Sequence, residues 1–178
     1  MTNTAHRAVF LDRDGVLSES LFFDGKPRAP RKLEDFRIYP EAKGACERLK
    51  KAGWHLVVVT NQPDLGTGKV SADVVGQMHA RLAAALPIDA VEVCPHTDAD
   101  HCSCRKPLPG LLVRAAERLG LALPDSVMVG DRWRDIAAGK AAGCRTILVD
   151  RKWPERREQP DLVVADIGVA AEAIEAGL

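Results

Sequence analysis

Short apolar runs alternate with helix-length amphipathic segments along most of the chain, and this alternation restricts the possible folds more than any other feature. Runs such as Trp54–Val59 are apolar almost throughout, which is typical of strands buried on both faces of a sheet. Strands separated by helices pair in parallel, with the helices covering both faces. The sequence therefore predicts an α/β fold with a doubly wound parallel sheet, a Rossmann-like three-layer arrangement.

The predicted elements fill the chain without a break long enough to separate domains, so we expect a single domain over residues 1–178. Residues 13–40 contain several prolines and glycines and are predicted to be irregular. Strands are predicted over 8–12, 54–59, 90–93, 126–129, 146–149 and 162–164. Helices are predicted over 41–52, 71–86, 109–120 and 133–142, with a last one from about 166.

Two carboxylates follow the first predicted strand, in the sequence Asp12-Arg-Asp14-Gly15. Acids at the end of a buried strand have no packing use, and a polar loop is the plainer interpretation. A carboxylate nucleophile, a carboxyl acid or base beside it and a divalent cation would use the same pair. Gly15 allows the sharp turn that such an arrangement needs.

Further polar residues follow other predicted strands. Thr60, Asn61 and Gln62 come after Val-Val-Val, and Asp131 comes after Val-Met-Val-Gly. Ligands of open α/β sheets bind where strands end, so these side chains are expected to meet Asp12 and Asp14 there. Each has a plainer alternative, because a threonine can cap a turn and Asp131 can cap the helix that follows it.

A magnesium-dependent phosphate-ester reaction would give each of these residues a role. Asp12 and Asp131 are natural Mg²⁺ ligands, and Asp135, one helical turn after Asp131, could hold a metal-bound water. Thr60 offers a hydroxyl to phosphate oxygens. Lys106 offers a fixed positive charge, although a solvated surface lysine is the alternative.

Three cysteines and a histidine lie within eleven residues, Cys94-Pro-His96 followed by Cys102-Ser-Cys104. These are suitable ligands for a closed, tetrahedral and therefore structural zinc site. His101 is a rival ligand, but the paired spacing favours His96. The site would fix the loop that carries Arg105 and Lys106.

Arg105 directly follows the last cysteine of this group, so a bound metal would fix its backbone. We expect its guanidinium to be free to grip a second anionic group of the substrate bidentately. A surface arginine beside the site is the alternative.

Bulk composition argues against several other classes of protein. Lys+Arg and Asp+Glu both total 25, whereas nucleic-acid binders usually carry a basic excess. The N-terminal residues have no apolar core of a signal peptide, and no apolar run reaches membrane-spanning length. We expect a cytoplasmic monomer that acts on a small molecule and binds neither nucleic acid nor membrane.

As a set, these motifs resemble those of the haloacid-dehalogenase (HAD) superfamily of phosphatases, over about residues 8–150. The matching residues are Asp12-Arg-Asp14-Gly15, Thr60-Asn61, Lys106 and Gly130-Asp131 to Asp135. The resemblance implies an aspartyl-phosphate on Asp12, with Asp14 as acid and base. It also implies Mg²⁺ bound by Asp12, the backbone carbonyl of Asp14, and Asp131. Substrate would be bound by Asn61, Gln62, Arg105 and Lys106.

The zinc loop followed by Arg105-Lys106-Pro-Leu-Pro-Gly looks like that of the D-glycero-D-manno-heptose 1,7-bisphosphate 7-phosphatases. Histidinol-phosphate phosphatases share this loop, and both groups lack a large cap domain. After Gln62, heptose enzymes usually carry Ser-Gly and then Ala-Arg-Gly, where this chain has Pro63-Asp64-Leu-Gly-Thr67. Leu-Gly-Thr is closer to the histidinol enzymes. A sugar bisphosphate is the favoured substrate; histidinol phosphate, a polynucleotide 3′-phosphate and an inactive binding domain remain as alternatives.

Overall fold

The computed structural model describes residues 6–23 and 25–178. Its centre is a six-stranded, all-parallel sheet with the order β5-β4-β1-β6-β7-β8. A separate antiparallel hairpin is formed by β2 and β3. The strands are β1 (Ala8–Leu11), β2 (Leu21–Phe23), β3 (Lys26–Arg28), β4 (His55–Asn61), β5 (Ala90–Cys94), β6 (Val127–Gly130), β7 (Arg145–Val149) and β8 (Leu162–Val164).

Helices cover both faces of the sheet, so the predicted α/β architecture is confirmed. The helices are α1 (Pro40–Lys51), α2 (Pro63–Gly66), α3 (Ala72–Ala85), α4 (Gly110–Leu119), α5 (Trp133–Ala141) and α6 (Ile167–Glu175). Between β1 and β4 the described residues form only the hairpin, a short 3₁₀ turn and α1. That segment is too small for a large cap domain, as the sequence predicts. Among the described residues, no helix has the length and apolar character needed to cross a membrane.

The core lies in two layers because successive side chains of a strand point to opposite faces. Val9 and Leu11 of β1 belong to the layer that packs against α1, α3 and α6. Ala8 and Phe10 belong to the other layer, against α4 and α5. The central β1 pairs with β4 on one side and β6 on the other, which places the ends of these three strands side by side.

Helix boundaries follow the local signals in most places. The Ser71 hydroxyl accepts a 3.2 Å hydrogen bond from the Val74 N–H and caps α3. Gly120 ends α4 with a φ of 65°, in the left-handed region that favours glycine. Pro109 precedes α4 as its N-cap residue instead of lying within its first turn.

The prediction that residues 13–40 are irregular is wrong for the hairpin. Leu21 pairs with Arg28, and Phe22 pairs with Pro27. Phe22 is 60% exposed, so the segment lacks the buried alternation by which strands are recognised. The short helix α2 lies outside the helices that the sequence predicts.

Candidate active site

The predicted site residues converge where β1, β4 and β6 end. Asp12 follows β1, Thr60 lies at the end of β4, and Asp131 follows β6. All three line one cavity of about 450 Å³, a volume within the usual range of small-molecule sites. Lys106 reaches the same cavity from the loop before α4.

Three carboxylates form the floor of this cavity. Oxygens of Asp12, Asp131 and Asp135 lie within 4.8 Å of one another. Burial raises the pKa of Asp12 to about 7, and the charges of Asp135 and Asp14 add to the rise while Lys106 opposes it. Burial, together with the Asp12 and Asp135 charges, also raises the pKa of Asp131 well above its usual value. The three carboxylates thus carry more negative charge, when ionised, than the single positive charge of Lys106 can neutralise.

Asp131 has an oxygen that is suited to a cation. Its Oδ2 accepts a 2.6 Å hydrogen bond from the Trp153 indole N–H. Its Oδ1 is buried and has no hydrogen-bond partner among the described residues, which is costly unless something else binds it. Hard oxygen donors of this kind fit Mg²⁺, so the residues present suit the metal that the sequence predicts.

Lys106 is 2% exposed and neutralises part of the cluster. Its Nζ lies 3.0 Å from Asp12 Oδ1 and 2.6 Å from Asp135 Oδ1, and donates to the Val59 carbonyl at 2.8 Å. Burial alone would lower the pKa of Lys106, but the two carboxylates raise it above its usual value. The lysine is therefore a fixed positive charge, as the sequence predicts, and the surface-lysine alternative is wrong.

Asp14 lies beside Asp12 and is held from three directions. Both of its oxygens accept hydrogen bonds from Arg13, at 2.9 to 3.1 Å. Gln62 Nε2 donates to Oδ2 at 2.9 Å, and the Ser18 hydroxyl donates to Oδ1 at 3.2 Å. These contacts fix the direction in which the Asp14 carboxyl points.

The residues after β4 have different tasks. Gln62 donates to both Asp14 and the Thr60 hydroxyl, which is 2.9 Å from Nε2. The Asn61 side chain binds the backbone of Lys106 in both directions, donating to its carbonyl at 3.0 Å and accepting from its N–H at 3.1 Å. Asn61 therefore positions the backbone of Lys106, a contact that its place in the sequence does not reveal.

Gly15 is required by the close approach of two loops. Its φ is +95°, and a Cβ at this position would lie 2.1 Å from Asp131 Oδ2. Only glycine allows this packing. Because Gly15 has no side chain, the turn after Asp14 can lie against Asp131.

The cysteine cluster has the geometry of a tetrahedral metal site. The three sulfurs lie 3.2 to 3.7 Å apart, and His96 Nδ1 lies 3.5 Å from Cys94 Sγ and 3.3 Å from Cys104 Sγ. Ligands about 2.3 Å from a central zinc would be separated by about 3.8 Å or slightly less. His101 is not part of this group, so the geometry agrees with the choice of His96.

The Arg105 guanidinium is partly bound by the protein, and its predicted contact with a second anionic group of the substrate stays a prediction. Its Nε donates to Asp98 Oδ1 at 2.8 Å, and its Nη1 donates to the His96 carbonyl at 3.0 Å. Asp98 also binds Arg134, at 2.9 and 3.2 Å. Arg105 also lines the cavity, and its Nη2 has no partner among the described residues.

Comparison with known proteins places the chain in a family. A HAD-hydrolase-like family model matches residues 103–170. The chain is 36% identical to the D-glycero-D-manno-heptose-1,7-bisphosphate 7-phosphatase of Thermosynechococcus vestitus, over 94% of each chain. The chain belongs to the HAD-like heptose bisphosphate phosphatase family. A second relative, the D-glycero-beta-D-manno-heptose-1,7-bisphosphate 7-phosphatase of Pseudomonas aeruginosa, is also 36% identical, over 79% of each chain.

Solved structures give the same result for this phosphatase. A D,D-heptose 1,7-bisphosphate phosphatase from Bordetella bronchiseptica, complexed with magnesium and phosphate, is similar with a TM-score of 0.80 and 29% identity. The match covers 97% of this chain and 99% of that one. The corresponding enzyme from Burkholderia thailandensis has a TM-score of 0.68 and 26% identity, over 96% and 99%. Membership of a phosphatase family argues against the alternative that the chain is an inactive binding domain.

Two residues of the phosphatase site were not singled out in the sequence. Arg13 is fully buried and pairs with Asp14; its place between two motif acids was the available signal. Trp153 binds Asp131 from a loop 22 residues further along the chain. No local pattern marks Trp153, because its partner is set only by how the loop after β7 folds back.

Proposed function

We propose that this phosphatase removes the 7-phosphate of D-glycero-D-manno-heptose 1,7-bisphosphate, with Mg²⁺ and through an aspartyl-phosphate on Asp12. The observation that carries the chemistry is the buried cluster of Asp12, Asp131, Asp135 and Lys106 at one edge of the sheet. The substrate rests on relatives of that name at 30–36% identity over most of the chain.

Asp12, Asp131 and the backbone carbonyl of Asp14 would hold the Mg²⁺, and Asp135 would bind one of its waters. When bound, Mg²⁺ neutralises phosphate charge that otherwise repels an anionic nucleophile. The unpartnered Oδ1 of Asp131 and the raised pKa values of Asp12 and Asp131 support this assignment. Both oxygens of Asp135 have protein partners, Lys106 and the Arg132 N–H, which suits an outer role.

Asp12 is the proposed nucleophile. Its carboxylate oxygen forms a bond to phosphorus while the bond from phosphorus to the sugar oxygen breaks, which leaves an acyl phosphate on Asp12. Lys106, 3.0 Å from Asp12 Oδ1, orients the carboxylate and favours its ionised form. The same lysine provides positive charge close to the transferred phosphoryl group.

Asp14 is the proposed acid and base. In the first step its carboxyl gives a proton to the leaving sugar oxygen. In the second step its carboxylate takes a proton from the water that attacks phosphorus, and the bond to Asp12 breaks to release phosphate. Contacts from Arg13, Ser18 and Gln62 position the Asp14 side chain for both transfers.

The remaining predicted residues would bind and orient the substrate. The Thr60 hydroxyl and the backbone that follows it would donate to phosphate oxygens. Gln62 would act through Asp14 and Thr60, and Asn61 through Lys106, because their side chains already contact those groups. Arg105 retains its Nη2 for a contact with substrate, since only Nε and Nη1 have partners.

Zinc bound by Cys94, His96, Cys102 and Cys104 would be structural. All four positions of a tetrahedron would be filled by protein ligands, which leaves no open position for catalysis. The last ligand is two residues before Lys106, so the zinc would fix the backbone of the lysine that contacts Asp12.

Histidinol phosphate is favoured only by the Leu65-Gly66-Thr67 run. A Cβ at Gly66 would lie 2.1 Å from the Pro95 carbonyl oxygen. Close packing therefore explains the glycine at this position without reference to the substrate. Thr67 is exposed and is absent from the cavity lining. The resemblance to histidinol enzymes therefore carries little information about what the cavity binds.

A substrate panel tests the proposed function. The kcat/KM is measured with heptose 1,7-bisphosphate, histidinol phosphate and a 3′-phosphorylated oligonucleotide, each with Mg²⁺ and with chelator. We expect the heptose bisphosphate to be preferred by at least about tenfold, or about 1.4 kcal/mol in transition-state binding. A preference for either of the other two substrates would contradict the proposal.

A further inference from the structure

The cavity mouth carries several basic side chains, and their partners differ. Arg105 and Arg134 share Asp98. Arg132 Nη2 lies 4.0 Å from Glu155. Arg28, on β3, also lines the cavity, and its side chain forms neither a hydrogen bond nor an ion pair with any other described residue. Arg28 is therefore a guanidinium in the cavity wall whose charge has no acidic partner in the described chain.

Arg28 is better suited than its neighbour Lys26 to bind a fixed anion. It is partly buried, whereas Lys26 is exposed. A planar guanidinium can bind two oxygens of one phosphate at once, and it is more weakly hydrated than an ammonium group. A second phosphate would give the Arg28 guanidinium the anionic partner that it lacks among residues 6–23 and 25–178.

The hairpin that carries Arg28 packs against Trp153, another residue that lines the cavity. The Phe22 ring stacks on Trp153, with centroids 5.9 Å apart and planes 7° from parallel. Trp153 also lines the cavity and donates to Asp131 at the floor. The β2–β3 hairpin is thus connected to the loop after β7, and Arg28 lines the same cavity as the carboxylate cluster.

We propose that Arg28 binds the phosphate of the substrate that is not hydrolysed, and so selects bisphosphorylated over monophosphorylated sugars. This inference rests on the proposed function. It adds a contact from the hairpin to the one that Arg105 can make through its Nη2, and both arginines line the cavity. The carboxylate cluster would act on one phosphate, and Arg28 would hold the other within the same cavity.

The test compares Arg28→Ala, Arg28→Lys and Lys32→Ala on heptose 1,7-bisphosphate and on heptose 7-phosphate. Lys32→Ala is the matched control, because Lys32 is also positive and near the hairpin but is 70% exposed and absent from the cavity lining. Thermal melting of each variant confirms that it is folded. Arg28→Lys keeps the positive charge but cannot bind two phosphate oxygens in one plane as a guanidinium does. It therefore remains informative if the alanine variant does not fold.

We expect Arg28→Ala to lower kcat/KM about 10–150-fold more for the bisphosphate than for the monophosphate, the range for losing a charged hydrogen-bonding partner. The lysine variant should fall between alanine and wild type, and Lys32→Ala should match wild type on both substrates. Equal losses on the two substrates, or none, would overturn the inference.

The outcome also separates this inference from the proposed function. A wild-type enzyme that prefers the bisphosphate, with that preference intact in Arg28→Ala, contradicts only the role of Arg28. A wild-type enzyme that turns over the bisphosphate no better than the monophosphate contradicts both.

Discussion

Replacing Lys106 by Met removes the positive charge at the centre of the carboxylate cluster while keeping a side chain of similar length. Lys106 is 2% exposed and loses contacts with Asp12 at 3.0 Å, Asp135 at 2.6 Å and the Val59 carbonyl at 2.8 Å. Removing one member of a buried ion pair typically costs about 3–5 kcal/mol, because the other charge is left without compensation. We expect that loss for the metal-free protein at about pH 8, where the carboxylates are ionised.

The loss should depend on pH in a defined direction. Burial raises the folded-state pKa of Asp12 to about 7 from a usual value of 3.8. A group of this kind contributes stability that is present below its unfolded pKa and lost as the pH rises through its folded pKa. Removing Lys106 raises that folded pKa further. The effect of Lys106→Met on unfolding should therefore be smaller at about pH 5.5 than at about pH 8.

Urea unfolding in chelator at the two pH values measures these free energies. Lys140→Met is the control, since Lys140 is 41% exposed and lies 3.6 Å from Glu158; it should change stability by less than about 1 kcal/mol. Activity of Lys106→Met with Mg²⁺ should fall by about 10²–10³-fold. A destabilisation that is equal at both pH values, or no larger than that of Lys140→Met, would refute the reasoning.

Three further predictions concern other parts of the site. Asp14→Asn should slow turnover about 10²–10⁴-fold, and the defect in phosphoryl transfer to the enzyme should shrink with a better leaving group in single-turnover kinetics. Cys102→Ser should reduce the zinc content from about one per chain and raise KM, whereas His101→Ala should keep the zinc, as measured by elemental analysis. Burial, with the charge of Arg13 beside it, lowers the folded-state pKa of His79 to about 4 from 6.5, so the contribution of His79 to stability is lost as the pH falls between those values. His79→Gln should weaken that acid destabilisation in thermal melts, and an unchanged pH dependence would exclude the effect.

The central strands and helices could be predicted because the pattern of buried apolar residues along the sequence marks them. Strands such as β1 and β6 are buried at every position, and continuous apolar runs are the pattern that such strands require. The hairpin was missed for the opposite reason. Phe22 and Phe23 are exposed, and Pro27 lies within β3, so neither burial nor propensity marks these strands.

The candidate site was predictable where each residue follows its own strand, as Asp12 and Asp131 do. The site was not predictable where a side chain could bind more than one group nearby in the fold. The sequence does not show that Arg105 donates a hydrogen bond to Asp98, or that Trp153 donates one to Asp131. Both contacts depend on how the loops pack against each other.

The most direct test of the account is to trap the phosphorylated enzyme. Asp14→Asn should slow the attack of water, and an aryl phosphate with a good leaving group does not need Asp14 as the acid of the first step. The variant is therefore mixed with such an aryl phosphate and Mg²⁺, quenched in acid, digested and analysed by mass spectrometry. We predict one phosphoryl group on the peptide that contains residue 12, and none when Asp12→Asn is also present. Turnover by Asp12→Asn without deamidation, or a phosphoryl group on any other residue, would contradict the assignment of Asp12 as the nucleophile.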